Sequence, residues 1–207
     1  MKRFLVALIV CLTMSSVAMA APMTNLNNGE TAAGYLYWNP KITVDGRHGH
    51  SYDVNKENAN GVYVETAISD KFILGIETIK GDTSKTVSGV TVGVDTRFTD
   101  FTVQYKLDNN VRLIAGNRNY DTTLSAKGYG STETSTNKFI CGIGASTPIG
   151  DKASAYATFL HDSYADEWQL GVNQKLSKNA LLNINYRYHD EDDILLKGIG
   201  AGLIYKF

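Results

Sequence analysis

Over most of the chain after residue 60, apolar and polar residues alternate, which is the period of a strand whose two faces meet different surroundings. Val62, Val64, Thr66 and Ile68 alternate with Tyr63, Glu65 and Ala67. A turn follows at Ser69-Asp70-Lys71, and Phe72, Leu74, Ile76 and Thr78 return against Ile73, Gly75 and Glu77. The figure then repeats. Phe101, Val103, Tyr105 and Leu107 oppose Thr102, Gln104 and Lys106 and turn at Asp108-Asn109-Asn110. The return strand carries Val111, Leu113 and Ala115 opposite Arg112, Ile114, Gly116 and Arg118. A third hairpin runs from Lys138 to Leu160 with Pro148 to Lys152 as its turn, and a fourth runs from about Tyr164 to Tyr188 through Ser177-Lys178-Asn179. Alternating runs joined by short polar turns predict hairpins.

The remaining stretches fit around these four. Residues 21 to 30 read as a polar lead-in, and Thr31 to Trp38 as a first strand stopped by Asn39-Pro40, with Ile42 to Val44 as its extension. Residues 45 to 60 and 120 to 137 lack an apolar period and predict long loops. Residues 80 to 100 are polar or weakly alternating; Val90, Val92 and Val94 fall out of phase with Phe101, which predicts a bulge near Thr99-Asp100. An acidic loop, Asp190 to Asp193, precedes a closing strand in which Ile199, Ala201, Leu203, Tyr205 and Phe207 share one face and three glycines the other. The sum is an all-β chain: a closed antiparallel up-and-down β-barrel of about ten strands, with eight as the alternative. Both ends and four tight turns lie on one side, and longer loops on the other.

The N-terminus and the composition place that barrel. Lys2 and Arg3 precede an apolar run from Phe4 to Leu12, and Ala18-Met19-Ala20 follows small residues, so residues 1 to 20 read as a secretory signal peptide cleaved after Ala20. Residues 21 to 207 then form one domain. Without Lys2 and Arg3 the chain holds 18 basic and 21 acidic residues; this weak acidity argues against a nucleic-acid partner. Cys141 alone remains of the two cysteines, so no internal disulfide forms. No apolar run is long enough for a membrane helix.

A soluble barrel shows the same alternation with its apolar set inward, whereas a membrane barrel encloses its polar set, which must be mutually satisfied. The polar faces carry Glu65, Glu77, Lys106, Arg112, Arg118, Glu167, Lys175 and Arg187, both signs in comparable number. A self-neutralising, enclosed charge network follows, and with it a transmembrane barrel. Trp38, Tyr105, Tyr156, Trp168, Tyr186, Tyr188, Tyr205 and Phe207 sit near strand ends, as interfacial girdles do. A barrel of this size is filled by its side chains, so a general porin is not expected; a narrow pore for small solutes or ions is the alternative.

Three resemblances bear on function. Gly202, Tyr205 and Phe207, with Lys206, resemble the C-terminal signal by which the outer-membrane assembly machinery recognises barrel clients, with Ala201 where a polar residue is usual. Over residues 21 to 207 the pattern is similar to the OmpA/OmpX and opacity-type families. That resemblance implies a place in the cell outer membrane, contact with its lipid and lipopolysaccharide, and loops that meet an extracellular ligand. Phe159 to Ser163 resembles the Phe-x-His-x-Ser signature of outer-membrane lipid A 3-O-deacylases, implying His161 and Ser163, with Glu167 nearby, as candidate catalytic residues. Tyr164 stands where that signature has Asn, and the alternation turns His161 and Ser163 toward the lumen. His189-Asp190 is too little to support an omptin-like protease. Arg47-His48-Gly49-His50 and Asp190-Glu191-Asp192-Asp193 carry metal-binding residue types, read as solvated loop. The expectation is a structural or adhesive surface barrel, with no cofactor and no enzymatic activity.

Overall fold

The computed structural model describes residues 21–46, 50–54, 58–87, 90–126, 128–163, 165–191 and 194–207. The expected leader, residues 1 to 20, lies outside them, as do 47–49 and 192–193 of the two loops with metal-binding residue types. The strands are β1 (Thr31–Gly46), β2 (His50–Val54), β3 (Asn58–Ala67), β4 (Phe72–Val87), β5 (Val90–Lys106), β6 (Val111–Ala126), β7 (Gly130–Ile149), β8 (Ala153–His161), β9 (Ala165–Lys175), β10 (Ala180–Glu191) and β11 (Ile194–Lys206). The short β2 pairs with the outer end of β1. The other ten form an antiparallel barrel, closed where β1 pairs with β11 from Ala32↔Lys206 to Val44↔Ile194. Closure satisfies the strand backbone within the sheet, which a lipid surrounding requires.

The four predicted turns form one rim of the barrel, the rim that short turns lead one to expect on the periplasmic side. Ser69 Oγ accepts the N–H of Phe72 at 3.0 Å, Asp108 Oδ1 those of Asn110 and Val111 at 2.6 and 2.8 Å, and Ser177 Oγ that of Ala180 at 3.1 Å. In each, a short polar side chain takes up donors that the tight turn frees. The β7–β8 turn instead uses Gly150 at φ 67°, a left-handed conformation that glycine adopts without steric cost. The seam also ends here: Thr31 and Phe207 exchange two backbone hydrogen bonds of 2.9 Å.

β1 does not stop at Asn39-Pro40. Its pairing with β3 ends at Trp38↔Ala59 and that with β2 begins at Ile42↔Val54, so Pro40, which has no N–H, lies where one ladder is interrupted while the β11 ladder continues.

The hydrophobic phase reverses along the barrel axis. In the periplasmic half, Leu74, Ile76, Phe101, Val103, Leu113, Phe139, Leu170, Ile184 and Leu203 face outward and are exposed, while Glu65, Gln104, Arg112, Asn173 and Asn183 are buried inside. This is polar-in, apolar-out packing, the arrangement for lipid. Further along β4, β5 and β6 the sense changes: Ile79, Val94, Phe98 and Tyr120 are buried inside with Trp38, Ile42, Ala59 and Leu196. There Lys80, Asp82, Asp95 and Arg97 point out. That half is built like a soluble barrel standing in water.

No bulge separates the halves. The β4–β5 register runs unbroken from Phe72↔Tyr105 to Val87↔Val90, and β5–β6 from Val92↔Ala126 to Lys106↔Arg112. Val94 is out of phase with Phe101 because the surroundings change, not because a residue is inserted. The same cause corrects the long-loop expectation for residues 120 to 137, of which 120 to 126 and 130 to 137 are paired strand, as are the weakly alternating residues 80 to 87 and 90 to 100. Their Thr-rich composition suits strands while showing no apolar stripe. Of the loop expected over 45 to 60, residues 45–46, 50–54 and 58–60 are strand.

Candidate functional site

The lumen is built from the inward residues of all ten strands, and its centre is Arg118. The Arg118 side chain, 1% exposed, donates from Nε to Asp100 Oδ1 at 2.7 Å, from Nη2 to Asp100 Oδ2 at 2.6 Å, and from Nη1 to Glu167 Oε2 at 3.2 Å. This forked pairing is the strong form of a charged hydrogen bond. Just outward, Tyr120 donates to Asp162 Oδ2 at 2.7 Å, and Lys138 Nζ lies 3.8 Å from Asp162 Oδ1 and over the Tyr120 ring. Toward the periplasm, Gln104 links the next pair: it donates to Glu65 at 2.7 Å and accepts from Arg112 at 2.6 Å, while the direct Arg112–Glu65 approach is 3.9 Å. An amide row completes the floor of the network. Asn183 donates to Asn173 Oδ1 at 2.7 Å and to the Tyr156 hydroxyl at 3.0 Å, and Arg187 Nε donates to Asn185 at 3.0 Å.

The lead-in is part of this interior. Met23, Thr24 and Leu26 are buried, the last packing with Leu36, Tyr63, Ile73 and Ile204. Its carbonyls satisfy lumen donors: Met23 O accepts from Asn173 at 2.8 Å, Thr24 O from Arg112 at 2.8 Å, and Leu26 O from Lys106 Nζ. Residues 21 to 30 therefore fill the periplasmic mouth, which their polar, aperiodic sequence does not reveal.

Of the eight residues expected in the charge network, Glu65, Glu77, Arg112, Arg118, Glu167 and Arg187 are buried in the lumen. Lys106 is half-buried at its mouth. Lys175 is exposed: it is the last residue of β9, next to the β9–β10 turn and past the enclosed section. Gln104, placed on the polar face by its alternation with Phe101 and Val103, joins the network, whereas Asp100 and Asp162 were missed. Asp100 shares the parity of Thr102, so counting by twos through the supposed bulge finds it.

The girdle expectation holds for Trp168, Tyr186, Tyr205 and Phe207, which are exposed on the outer wall. It fails for Trp38 and Tyr156, which are buried inside. Tyr156 packs against inward-facing Gly171, where a Cβ would strike its ring.

His161 also faces outward rather than into the lumen, because the register Cys141↔His161 and Ile143↔Phe159 places it on the outer wall. Its Nδ1 lies 2.8 Å from Asp166 Oδ1, both side chains being half exposed. Asp166 stands opposite Asp190 on β10, so His161, Asp166 and Asp190 form one row across three strands. Ser163 is exposed, while Glu167 points inward to Arg118. The wall thus separates His161 from Glu167, and no His–Ser–Glu arrangement forms. Among the described residues no group of three or more metal-ligating side chains converges.

The sequence matches no family model and no curated protein. Solved structures do match. The chain is similar to the translocator domain of autotransporter NalP from Neisseria meningitidis, at 12% identity and a TM-score of 0.56, covering 100% of this chain and 94% of that one. The fold is that of an outer-membrane β-barrel. The barrel is likewise similar to the outer membrane protease OmpT from Escherichia coli, at 10% identity and a TM-score of 0.51, covering 90% and 99% of the two chains. It is also similar to the beta domain of the Bordetella autotransporter BrkA, at 12% identity and a TM-score of 0.50, covering 87% and 100%. At such identities the likeness is one of fold, and the barrel's own residues must carry any functional argument.

Proposed function

We propose that this protein is a closed outer-membrane surface barrel, exported by a cleaved leader and seated by the barrel-assembly machinery. It acts through its outward polar wall in a structural or adhesive role, without enzymatic chemistry. The observation that carries the reading is the filling of the lumen. An apolar cluster packs its outer end, a hydrogen-bonded charge network its middle, and residues 21 to 30 its periplasmic mouth. Nothing of solute size passes through a core so occupied. The contact surface available is the outer wall of β4 to β7, where Lys80, Asp82, Asp95, Arg97, Asp121 and Glu133 line an open groove of about 650 Å³. Lipid and lipopolysaccharide surround the apolar belt below it. The separation of His161 from Glu167 supports the non-enzymatic assignment over a lipid A deacylase.

Two measurements on assembled protein test this. Planar bilayers holding the purified barrel stay electrically silent, and cells expressing it gain adhesion to extracellular-matrix or host-cell surfaces. Replacing Lys80, Asp82, Arg97 and Asp121 together by Ser removes that adhesion at unchanged outer-membrane levels. Single-channel currents altered by Arg112→Ala or Arg187→Ala would establish the pore instead. A lipid A mass change abolished by His161→Ala would establish the enzyme.

A further inference from the structure

Deep in the lumen, beyond the half-buried Lys106 at its mouth, buried carboxylates outnumber cationic groups by one among the described residues. Glu65, Glu77, Asp100 and Glu167 are buried around Arg112, Arg118 and Arg187, four carboxylates to three guanidinium groups among the described residues, Asp162 having Lys138 beside it. Arg118 serves Asp100 and Glu167, and Gln104 with Arg112 serves Glu65. Glu77 lies within the field of Arg187, but it is 5% exposed and its Oε1 is fully enclosed with no hydrogen-bond partner. Arg187 and Arg118 attract it, while Asp100 and Glu167 repel it. Enclosing a carboxylate oxygen without a hydrogen bond is costly, so a further donor belongs at Oε1.

Ala21 lies at that place. Anchored through the Met23, Thr24 and Leu26 carbonyls, the lead-in carries Ala21 to a cavity of about 20 Å³ that it lines together with Glu65, Glu77 and Asp100. The space holds about one water molecule. We propose that this carboxylate cluster is a binding site for a primary ammonium group, and that the group is the chain's own α-amine, created when the Ala20–Ala21 bond is cut. Hydrolysis with one water leaves a carboxylate on Ala20 and an ammonium on Ala21, and the latter donates to Glu77. Before the cut that nitrogen is an uncharged amide tied to twenty further residues, and the packed cluster around Trp38 and Phe98 closes the lumen beyond it. Seating of the plug is therefore coupled to leader removal. This inference goes beyond the surface role and is tested apart from it.

Protein extracted from outer membranes is expected to begin at Ala21 by N-terminal sequencing. In the folded barrel, an α-amine-selective aldehyde reagent labels Ala21 at least about tenfold more slowly than in the heat-unfolded chain. A chain acetylated on Ala21 alone refolds with a lower unfolding midpoint, and Glu77→Gln abolishes most of the difference between acetylated and free forms. A different mature N-terminus, equal labelling rates in both states, or an acetylation penalty unchanged by Glu77→Gln overturns the proposal. The labelling comparison needs no variant, so it decides even if Glu77→Gln fails to assemble.

Discussion

Arg118→Met is the sharpest perturbation of the barrel, because the side chain it removes holds two carboxylates at once. Three charged hydrogen bonds of 2.7, 2.6 and 3.2 Å disappear, and Asp100 and Glu167, 4% and 2% exposed, are left face to face. Removing one partner of a buried ion pair costs about 3–5 kcal/mol, chiefly because the charges left behind stay desolvated. Against a total stability of roughly 5–15 kcal/mol, that is a large share. Methionine keeps most of the volume, so the loss reports charge rather than a void. If uncompensated charge is the cause, adding Asp100→Asn and Glu167→Gln to Arg118→Met restores much of the loss, since no ion is then left unpaired. Urea unfolding in detergent or lipid, followed by heat-modifiable gel migration, measures both. Trp38 inside the lumen and Trp168 on the lipid face give fluorescence signals for the two environments. A single variant within about 0.5 kcal/mol of the parent, or a triple variant less stable than the single one, would refute the argument.

Two further outcomes follow from the periplasmic rim. Deleting Phe207 removes both backbone hydrogen bonds that close β11 on Thr31, together with the terminal residue that resembles the assembly signal; outer-membrane levels by fractionation should fall sharply, and normal levels would contradict a role in closure. The Asn27 N–H donates to the Glu30 carboxylate, and this bond lowers the Glu30 pKa most; burial opposes it, and Lys206 Nζ, 3.0 Å away, adds to the lowering, so the carboxyl sits below its ordinary value. A lowered pKa in the folded state contributes stability above the unfolded value and loses it as pH falls through the folded one. Hydrogen-exchange protection at residues 23 to 27, taken relative to the intrinsic amide rate at each pH, should therefore fall on acidification below the ordinary carboxylate range, and Glu30→Gln should remove that pH dependence; an unchanged profile would sink the assignment.

Where one face was strongly apolar, the chain was readable. The hairpins around Ser69, Asp108, Pro148 and Ser177, the outward face of β11 and six of the eight expected lumen charges follow from period two alone. What stayed hidden lacks such a stripe. Residues 21 to 30 insert through backbone carbonyls, which every residue possesses, and through Met23 and Leu26, two apolar residues too few to show a period. Lys175 was misplaced because parity says which way a side chain points but not whether the barrel still encloses it there. His161 was turned the wrong way because its side depends on the β7–β8 register, which one misjudged residue in the turn reverses.

The reversal of hydrophobic phase has a geometric cause. β4 has 16 residues, which at about 3.3 Å each and a tilt near 40° rises roughly 40 Å, whereas the apolar band of an outer-membrane barrel is about 25 Å tall. Some 15 Å of wall must then stand in water, where an apolar outer face would be unstable and an apolar inner face becomes favourable. The pleat continues and only the sign of the alternation changes. Thr78 and Thr99, paired at 3.3 Å between their hydroxyls on the outer wall, mark the crossover. Below them Ile76 and Phe101 are paired and exposed; above them Lys80 pairs with Arg97. In a chain of this kind a phase slip between otherwise regular strands marks the upper membrane boundary, and it needs no bulge or loop to explain it.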